Sequence, residues 1–260
     1  MITNEYGFEN RQHLLLQVLK DVHSILSNNK ITYSLCGGTL LGAIRHNGFI
    51  PWDDDVDIML NRECFNKLIH IFNEHGNCLS VSDNMQETKY YLKRSIWVYR
   101  ICRKNPETYE LKTVIDLFVM DNTPDSELVN RFKVLTIKLL QGMMKEQLEF
   151  KGKYSLFYKI CIFGTYCLGR LFPDELKYTW YEKISQIGNK KRTKHMTGYN
   201  DSFELLNLKY SGHLMDKMEM HIFEDVELPI TSEYDNYLKT QYGDYMTPPR
   251  MEDRVGHSSS

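Results

Sequence analysis

Residues 53–57, which read Asp-Asp-Asp-Val-Asp, contain the side chains of this sequence best suited to chemistry. Asp55 and Asp57 alternate with apolar residues, so residues 55–60 are predicted to form a strand with both carboxylates on one face. Two adjacent carboxylates repel each other unless a positive group lies between them, and hard divalent cations bind carboxylate oxygens. The pattern therefore predicts a site for magnesium, or manganese, of the kind that serves phosphoryl transfer.

Asp116 is the predicted third ligand of this metal. It is the only charged residue in the apolar run 114–120, which is typical of a buried strand, and a carboxylate in such a run needs a partner. A neighbouring strand would bring it beside the paired aspartates. For Asp53 and Asp54 the sequence also allows a solvated loop. A loop would not explain Asp57, which alternates with the apolar residues Val56 and Ile58.

A second group of candidate residues precedes the acidic run. Gly37, Gly38 and Thr39 lie between a short predicted strand and a short predicted helix, where glycines allow a ligand to approach the backbone and the helix start offers N–H groups to an anion. Arg45 could bind phosphate oxygens through two parallel hydrogen bonds, and His46 could bind a phosphate or move a proton. The alternatives are a structural ion pair for Arg45 and an ordinary loop position for His46.

Hydrophobic periodicity predicts the elements that position these residues. Helical spacing is found at 9–29, 39–45, 62–75, 126–150, 154–171, 173–188 and 234–245. Strand patterns are found at 31–36, 55–60, 90–102 and 113–120, with weaker ones between 195 and 230. We predict a core at 1–124, a helical insertion at 125–190, and a C-terminal segment at 191–260 that packs back on the core.

Composition and charge limit the classes of protein. The net charge of −2 excludes a general basic surface, so we expect no nucleic-acid partner. The six cysteines form no CxxC pair, and the first residues do not resemble a secretory signal. We therefore expect a cytoplasmic protein with free thiols that are mostly buried.

Two segments raise the question of a membrane. Residues 154–168 are apolar but shorter than the roughly 20 residues of a spanning helix. A buried helix is the favoured interpretation, and an aromatic surface facing a membrane is the alternative. The basic run 190–195 is interpreted first as solvated surface. Its alternative is contact with an anionic lipid or glycan, which would place the protein peripherally on the inner face of the cell membrane.

Residues 37–58 closely resemble the signature of the LicD/fukutin family. Residues 114–121 resemble the second acidic strand of that family, and residues 229–249 resemble its C-terminal motif. The resemblance implies an α+β, nucleotidyltransferase-like fold, with a mixed sheet, flanking helices and a helical second half. It also implies a basic pattern before the second acidic strand, in which either Arg100 or Arg103 would bind phosphate.

The same resemblance implies an activity. Bacterial members are similar to phosphotransferases that move a phospho-alcohol, most often phosphocholine, from a CDP-alcohol donor such as CDP-choline to a sugar hydroxyl, releasing CMP. The acceptors are teichoic acid, lipopolysaccharide or capsule, or a lipid-linked oligosaccharide. Two alternatives stay open: a true nucleotidyltransferase that adds a nucleoside monophosphate, and a non-catalytic assembly or binding protein.

Overall fold

The computed structural model describes residues 2, 6–83, 86–95, 97–104, 111–148 and 156–254. Its helices are α1 (Glu9–Asn28), α2 (Gly37–His46), α3 (Arg62–Glu74), α4 (Glu127–Met144), α5 (Leu156–Gly169), α6 (Asp174–Ser185) and α7 (Tyr234–Tyr242). Its strands are β1 (Ser34–Leu35), β2 (Asp57–Asn61), β3 (Cys78–Asp83), β4 (Gln86–Ser95), β5 (Val98–Lys104), β6 (Leu111–Asn122), β7 (His195–Gly198), β8 (Tyr210–Ser211), β9 (Met218–Phe223) and β10 (Val226–Thr231). These elements confirm the α+β class.

The chain forms two compact units, and the first contains Met1–Lys93, Tyr99–Met120 and His213–Ser260. Its sheet is mixed, with the strand order β1-β2-β6-β5-β4-β3. Strand β2 runs parallel to β6, whereas the pairs β1–β2, β5–β6 and β3–β4 are antiparallel. Strands β9 and β10 form a separate antiparallel hairpin. The two acidic segments of the sequence therefore lie on neighbouring central strands, β2 and β6.

The first helices follow the predicted pattern closely. Helix α1 buries Val18, Leu19 and Val22, which recur at helical spacing on one face. Asn61 caps α3, because its side-chain oxygen accepts a hydrogen bond from the backbone N–H of Cys64 at 2.8 Å. The predicted helices at 9–29 and 62–75 are thus confirmed to within a residue or two.

The segments around the candidate site differ from the prediction in their boundaries. The predicted helix at 39–45 begins two residues earlier, so both glycines lie in its first turn. The predicted strand at 55–60 begins only at Asp57, so Asp55 precedes it. Met59, which shares the strand face of Asp57 by alternation, is fully buried, since α2 and α3 both pack against β2.

The second unit contains Arg94–Val98 and Asp121–Gly212. Helices α5 and α6 both pack on α4, and strands β7 and β8 form an antiparallel pair. Its core includes Ile137, Tyr181 and Tyr199. The fully buried ammonium of Lys133 lies 3.5 Å from the centre of the Tyr199 ring and donates to the carbonyl of Ile187 at 2.8 Å, which compensates its lost hydration.

Helix α5 departs from the favoured sequence interpretation. Ile160 is 59% exposed and Phe163 is 54% exposed, so the prediction of a buried helix is wrong where its side chains are described. The thiols are not mostly buried either, because only Cys36 and Cys102 among the described residues are buried. Helix α4 ends at Met144, several residues before the predicted end at 150, and residues 149–155, which contain the predicted beginning of the next helix, lie outside the described residues. Across the described chain, every helix is too short or too polar to cross a membrane.

Candidate active site

Asp57 and Asp116 are direct Cα partners on the parallel strands β2 and β6. Arg100, on β5, pairs with Asp116 from the other side. Its guanidinium binds both oxygens of Asp116, with Nε 2.7 Å from Oδ1 and Nη2 3.2 Å from Oδ2. These hydrogen bonds raise the pKa of Arg100, and the charge of Asp57 raises it further. Three predicted site residues therefore meet on adjacent strands.

Asp53 is more buried than the sequence suggested. It is 7% exposed, and its carboxyl group is hydrogen-bonded to that of Asp55. Burial, followed by the neighbouring charge of Asp55, holds the pKa of Asp53 well above its usual range. The solvated loop considered for Asp53 and Asp54 is wrong, because Asp54 is only 1% exposed.

The two glycines lie directly against this acidic cluster. A Cβ atom on Gly37 would lie 2.7 Å from Oδ2 of Asp57, and one on Gly38 would lie 2.8 Å from Oδ2 of Asp53. Gly37 also has a φ of +55°, in the left-handed region that glycine adopts without strain. The sequence therefore needs glycine at both positions so that the carboxylates can reach the start of α2.

Neighbouring residues fix the start of α2. Thr39 Oγ1 accepts a hydrogen bond from the backbone N–H of Asp57 at 2.9 Å, which joins the helix to the acidic strand. The backbone N–H of Gly37 donates to the hydroxyl of Tyr237, on α7, at 3.2 Å. That N–H group is occupied, so the anion site predicted at this helix start has one donor fewer than the sequence suggested.

Two residues of α1 anchor the acidic run and were missed by the sequence analysis. The amide of Gln12 is fully buried and donates to the carbonyls of Ile50 at 3.1 Å and Asp53 at 2.7 Å. Arg11 donates to the carbonyl of Asp54, and its Nε lies 3.6 Å from the carboxylate. A glutamine on the apolar face of a predicted helix was the available signal for this role.

Arg45 and His46 lie at the other end of α2. Arg45 donates to the backbone carbonyl of Tyr245 at 3.0 Å, a contact that fixes the C-terminal segment. The ring of His46 packs edge-on against Trp52, with the centroids 6.2 Å apart. Burial, and then the charge of Arg45, lower the pKa of His46. These contacts fit the structural alternatives for both side chains, and the phosphate contacts predicted for them stay a prediction.

The structure also separates the two candidate arginines. A bulge between Cys102 and Arg103 shifts the register, and Arg103 pairs with Lys112. Its charge opposes the rise in the pKa of the Tyr90 hydroxyl, which is caused chiefly by burial. Arg100, in contrast, contacts the acidic cluster directly. Arg100 is therefore the arginine positioned to act at this site.

The cluster fits a divalent cation in the chemistry of its donors. Its ligands are carboxylate oxygens, and the Asp53 and Asp55 carboxyl groups touch through a hydrogen bond whose proton a cation would replace. Asp116 retains acceptor capacity while it binds Arg100, since an ionised carboxylate has about four lone-pair sites. In the described part of the chain, no three ligand side chains are already grouped as a metal centre.

Comparison with known proteins finds a family match over the part of the chain that contains this site. Residues 30–133 match the family described as LicD/FKTN/FKRP, nucleotidyltransferase domain. This range contains the glycines, the acidic run, Arg100 and Asp116. Over this domain the chain is similar to the LicD family, which agrees with the resemblance seen in the sequence.

The relatives match either nearly the whole chain or a part of it. The chain is 26% identical to the lipopolysaccharide cholinephosphotransferase LicD of Haemophilus influenzae, over 95% of this chain and 94% of that protein. It is also 36% identical to an uncharacterized protein of Rickettsia prowazekii, over 41% of this chain and 33% of that protein. The similarity to the phosphotransferase therefore extends beyond the domain to nearly the full length.

Proposed function

We propose that this protein is a metal-dependent transferase that moves phosphocholine from CDP-choline to a sugar hydroxyl of a bacterial surface glycan, releasing CMP. The observation that carries the proposal is the pairing of Asp57 with Asp116 beside Arg100. The nearly full-length similarity to a lipopolysaccharide cholinephosphotransferase supports phosphocholine as the group and lipopolysaccharide as the acceptor class.

Asp55, Asp57 and Asp116 would hold magnesium or manganese. A bound divalent cation neutralises charge on phosphoryl oxygens and orients them for in-line displacement. Asp53 would support this ligand set, because its carboxyl group already contacts that of Asp55. Arg100 holds Asp116 through two parallel hydrogen bonds and so fixes the direction of that carboxylate.

The remaining steps would use the protein's own groups. The absence of side chains at Gly37 and Gly38 lets the carboxylates of Asp57 and Asp53 lie against the start of α2, so a donor pyrophosphate bound at these carboxylates would lie beside the helix start. The guanidinium of Arg100 would stabilise charge on the phosphoryl oxygens. A carboxylate of the cluster would accept the proton of the attacking sugar hydroxyl, and His46 is the alternative base because its lowered pKa favours a neutral ring.

The direct test is to incubate the purified protein with CDP-choline, magnesium and deacylated lipopolysaccharide, and to measure CMP and glycan-bound phosphocholine together. A panel of CDP-linked alcohols, including CDP-ribitol and CDP-glycerol, would define the transferred group. Equal amounts of CMP and modified glycan would support the proposal. Transfer from another CDP-alcohol alone would keep the reaction class and reject phosphocholine.

The second candidate is a true nucleotidyltransferase, which the description of the matched domain favours. The same carboxylates would serve this reaction, so the products decide between the two. Pyrophosphate released from a nucleoside triphosphate, with a nucleoside monophosphate attached to the acceptor, would replace the first proposal. A non-catalytic binding protein would be indicated if calorimetry found neither magnesium nor CDP-alcohol binding.

A further inference from the structure

Helix α4 exposes a stripe of large apolar side chains in the second unit. Leu128 is 79% exposed, Phe132 61%, Leu135 67% and Leu139 40%. Their spacing of four, three and four residues places them on one face of the helix. The opposite face packs into the core of the unit through residues such as Ile137 and Leu140. Helix α4 already buries one apolar face in the core of its unit, so the exposed stripe is a second apolar face.

Helix α5 adds a second apolar stripe beside the first. Ile160 and Phe163 are more than half exposed, and Leu171, just beyond the helix, is 75% exposed. Helix α5 packs on α4. Leu135 and Leu139 from α4 line a cavity of about 370 Å³ together with Ile162 from α5. The two stripes thus meet at this cavity and form one contiguous apolar surface, the kind of exposed patch that marks an interaction site.

A lysine-lined cleft adjoins the beginning of the α4 stripe. This cleft of about 820 Å³ contains Val129, which is 43% exposed, and three lysines, Lys183, Lys190 and Lys191, against one acidic residue, Asp125, which lies 3.7 Å from Lys191. Lys190 and Lys191 belong to the basic run singled out in the sequence. An apolar surface that continues into a cationic cleft matches the two parts of an anionic phospholipid, its acyl chains and its phosphate head group.

We propose that the apolar surface of α4 and α5 and the adjoining lysine cleft dock this protein on a membrane that contains anionic phospholipid. Charge decides between this occupant and a second copy of the chain. Helices α4 and α5 contain one acidic residue, Glu127, which is paired with Lys209, against the basic residues Arg131, Lys138 and Lys159 on their partly or fully exposed positions. Two copies facing each other would bring like charges together, whereas an anionic bilayer neutralises them.

Vesicle flotation tests the docking directly. The full-length protein is mixed with vesicles of phosphatidylcholine alone or of phosphatidylcholine with phosphatidylglycerol, and the floated fraction is measured. We expect about tenfold or greater enrichment on the anionic vesicles, and loss of that enrichment at high salt. Equal recovery with both vesicle types, or no flotation with either, would reject the proposal.

Paired variants distinguish binding through the proposed surface from nonspecific hydrophobic binding to the vesicles. The double variant Phe132→Glu with Leu135→Glu should abolish flotation, whereas Met220→Glu with Ile222→Glu on β9, at sites 52% and 53% exposed, should leave it unchanged. Lys190→Gln with Lys191→Gln should weaken flotation more than Lys217→Gln. If the first double variant misfolds, Leu128→Ser at a 79% exposed site replaces it.

The alternative occupant has its own result. A dimer of the wild-type protein in light scattering that the α4 variant dissociates, without any vesicle binding, would assign the surface to a second copy and overturn the proposal. Docking does not rest on the proposed function, because the surface lies entirely in the second unit. Activity toward a soluble acceptor should survive in the variants, so failure of docking and failure of catalysis can be told apart.

Discussion

Asp57 and Asp116 face each other as Cα partners on parallel strands, and Arg100 binds the second of them through both oxygens. Parallel pairing between β2 and β6 places two carboxylates from distant parts of the sequence at the same level of one sheet. Their mutual repulsion is a cost that a bound cation would remove. A bound cation would therefore explain why the carboxylates of Asp57 and Asp116 lie side by side. The ion pair between Arg100 and Asp116 alone does not explain it.

Asp57→Asn should reduce CMP release by at least about 100-fold while the protein stays folded. The asparagine keeps the size of the side chain and the backbone hydrogen bond to Thr39, but it loses the charge that would bind the metal. Loss of repulsion with Asp116 should leave the thermal midpoint unchanged or higher.

The matched control for this variant is Asp225→Asn, at a solvent-exposed aspartate that pairs with Lys20. It should retain full transfer activity. Substantial transfer by Asp57→Asn under the same conditions would remove Asp57 from the proposed ligand set.

Arg100→Lys should lower kcat/KM by at least about tenfold, because a lysine offers a point charge where the guanidinium makes two parallel hydrogen bonds. A role only in positioning Asp116 would lower kcat and the affinity for magnesium together. Arg103→Lys, on the other side of the bulge in β5, should change neither quantity. Equal losses in both variants would argue against a specific role for Arg100.

The sequence predicted the parts of the site that depend on local pattern. Alternation marked Asp57, and a lone charge in an apolar run marked Asp116. Both signals follow from the alternation of side chains along a strand, which can be read from the order of polar and apolar residues. The strand pairing that joins these two residues was expected only in outline, because sequence periodicity contains no information on which strands are neighbours.

Other features were set by tertiary contacts and could not be predicted locally. Asp53 is buried because Gln12, forty-one positions away, holds its carbonyl. Arg45 donates to Tyr245 from the far end of the chain, so a residue that looked suited to phosphate makes a structural contact. The exposure of α5 was also missed, since an apolar composition predicts burial whether or not the fold supplies a partner.

Gly37→Ala and Gly76→Ala form a matched pair that separates backbone strain from contact with the carboxylates. Both glycines have positive φ, +55° and +64°, so each substitution should cost about 1–2 kcal/mol of stability. A Cβ on Gly37 would also meet Asp57, whereas one on Gly76 would meet nothing within 4 Å. Only Gly37→Ala should therefore lose transfer activity, measured as CMP release after correction for the folded fraction. Equal activity in the two variants would contradict the close approach.

Asp201, in the second unit, should make stability depend on pH. Burial raises its pKa from 3.8 to about 6. Between these values the folded state holds more protons than the unfolded state, so the free energy of unfolding should fall as pH rises from about 4 through about 6. Asp201→Asn removes this loss and should stabilise the protein at pH 7.5 by roughly 2 kcal/mol, a figure reduced because the residue keeps some solvent exposure.

Urea unfolding at pH 4.5 and pH 7.5 measures this effect in the Asp201→Asn variant. The gain should be complete at pH 7.5 and fall to about a third of that size at pH 4.5, because the folded carboxyl group is then protonated and only the smaller cost of taking up that proton remains. The asparagine oxygen can still accept the hydrogen bond that the N–H of Ser202 donates at 2.6 Å, so the turn should persist. Asp225→Asn should show no such gain, since hydrogen bonding to Lys20 lowers the pKa of Asp225. A gain of equal size at both pH values would show that the substitution acts through packing and not through ionisation.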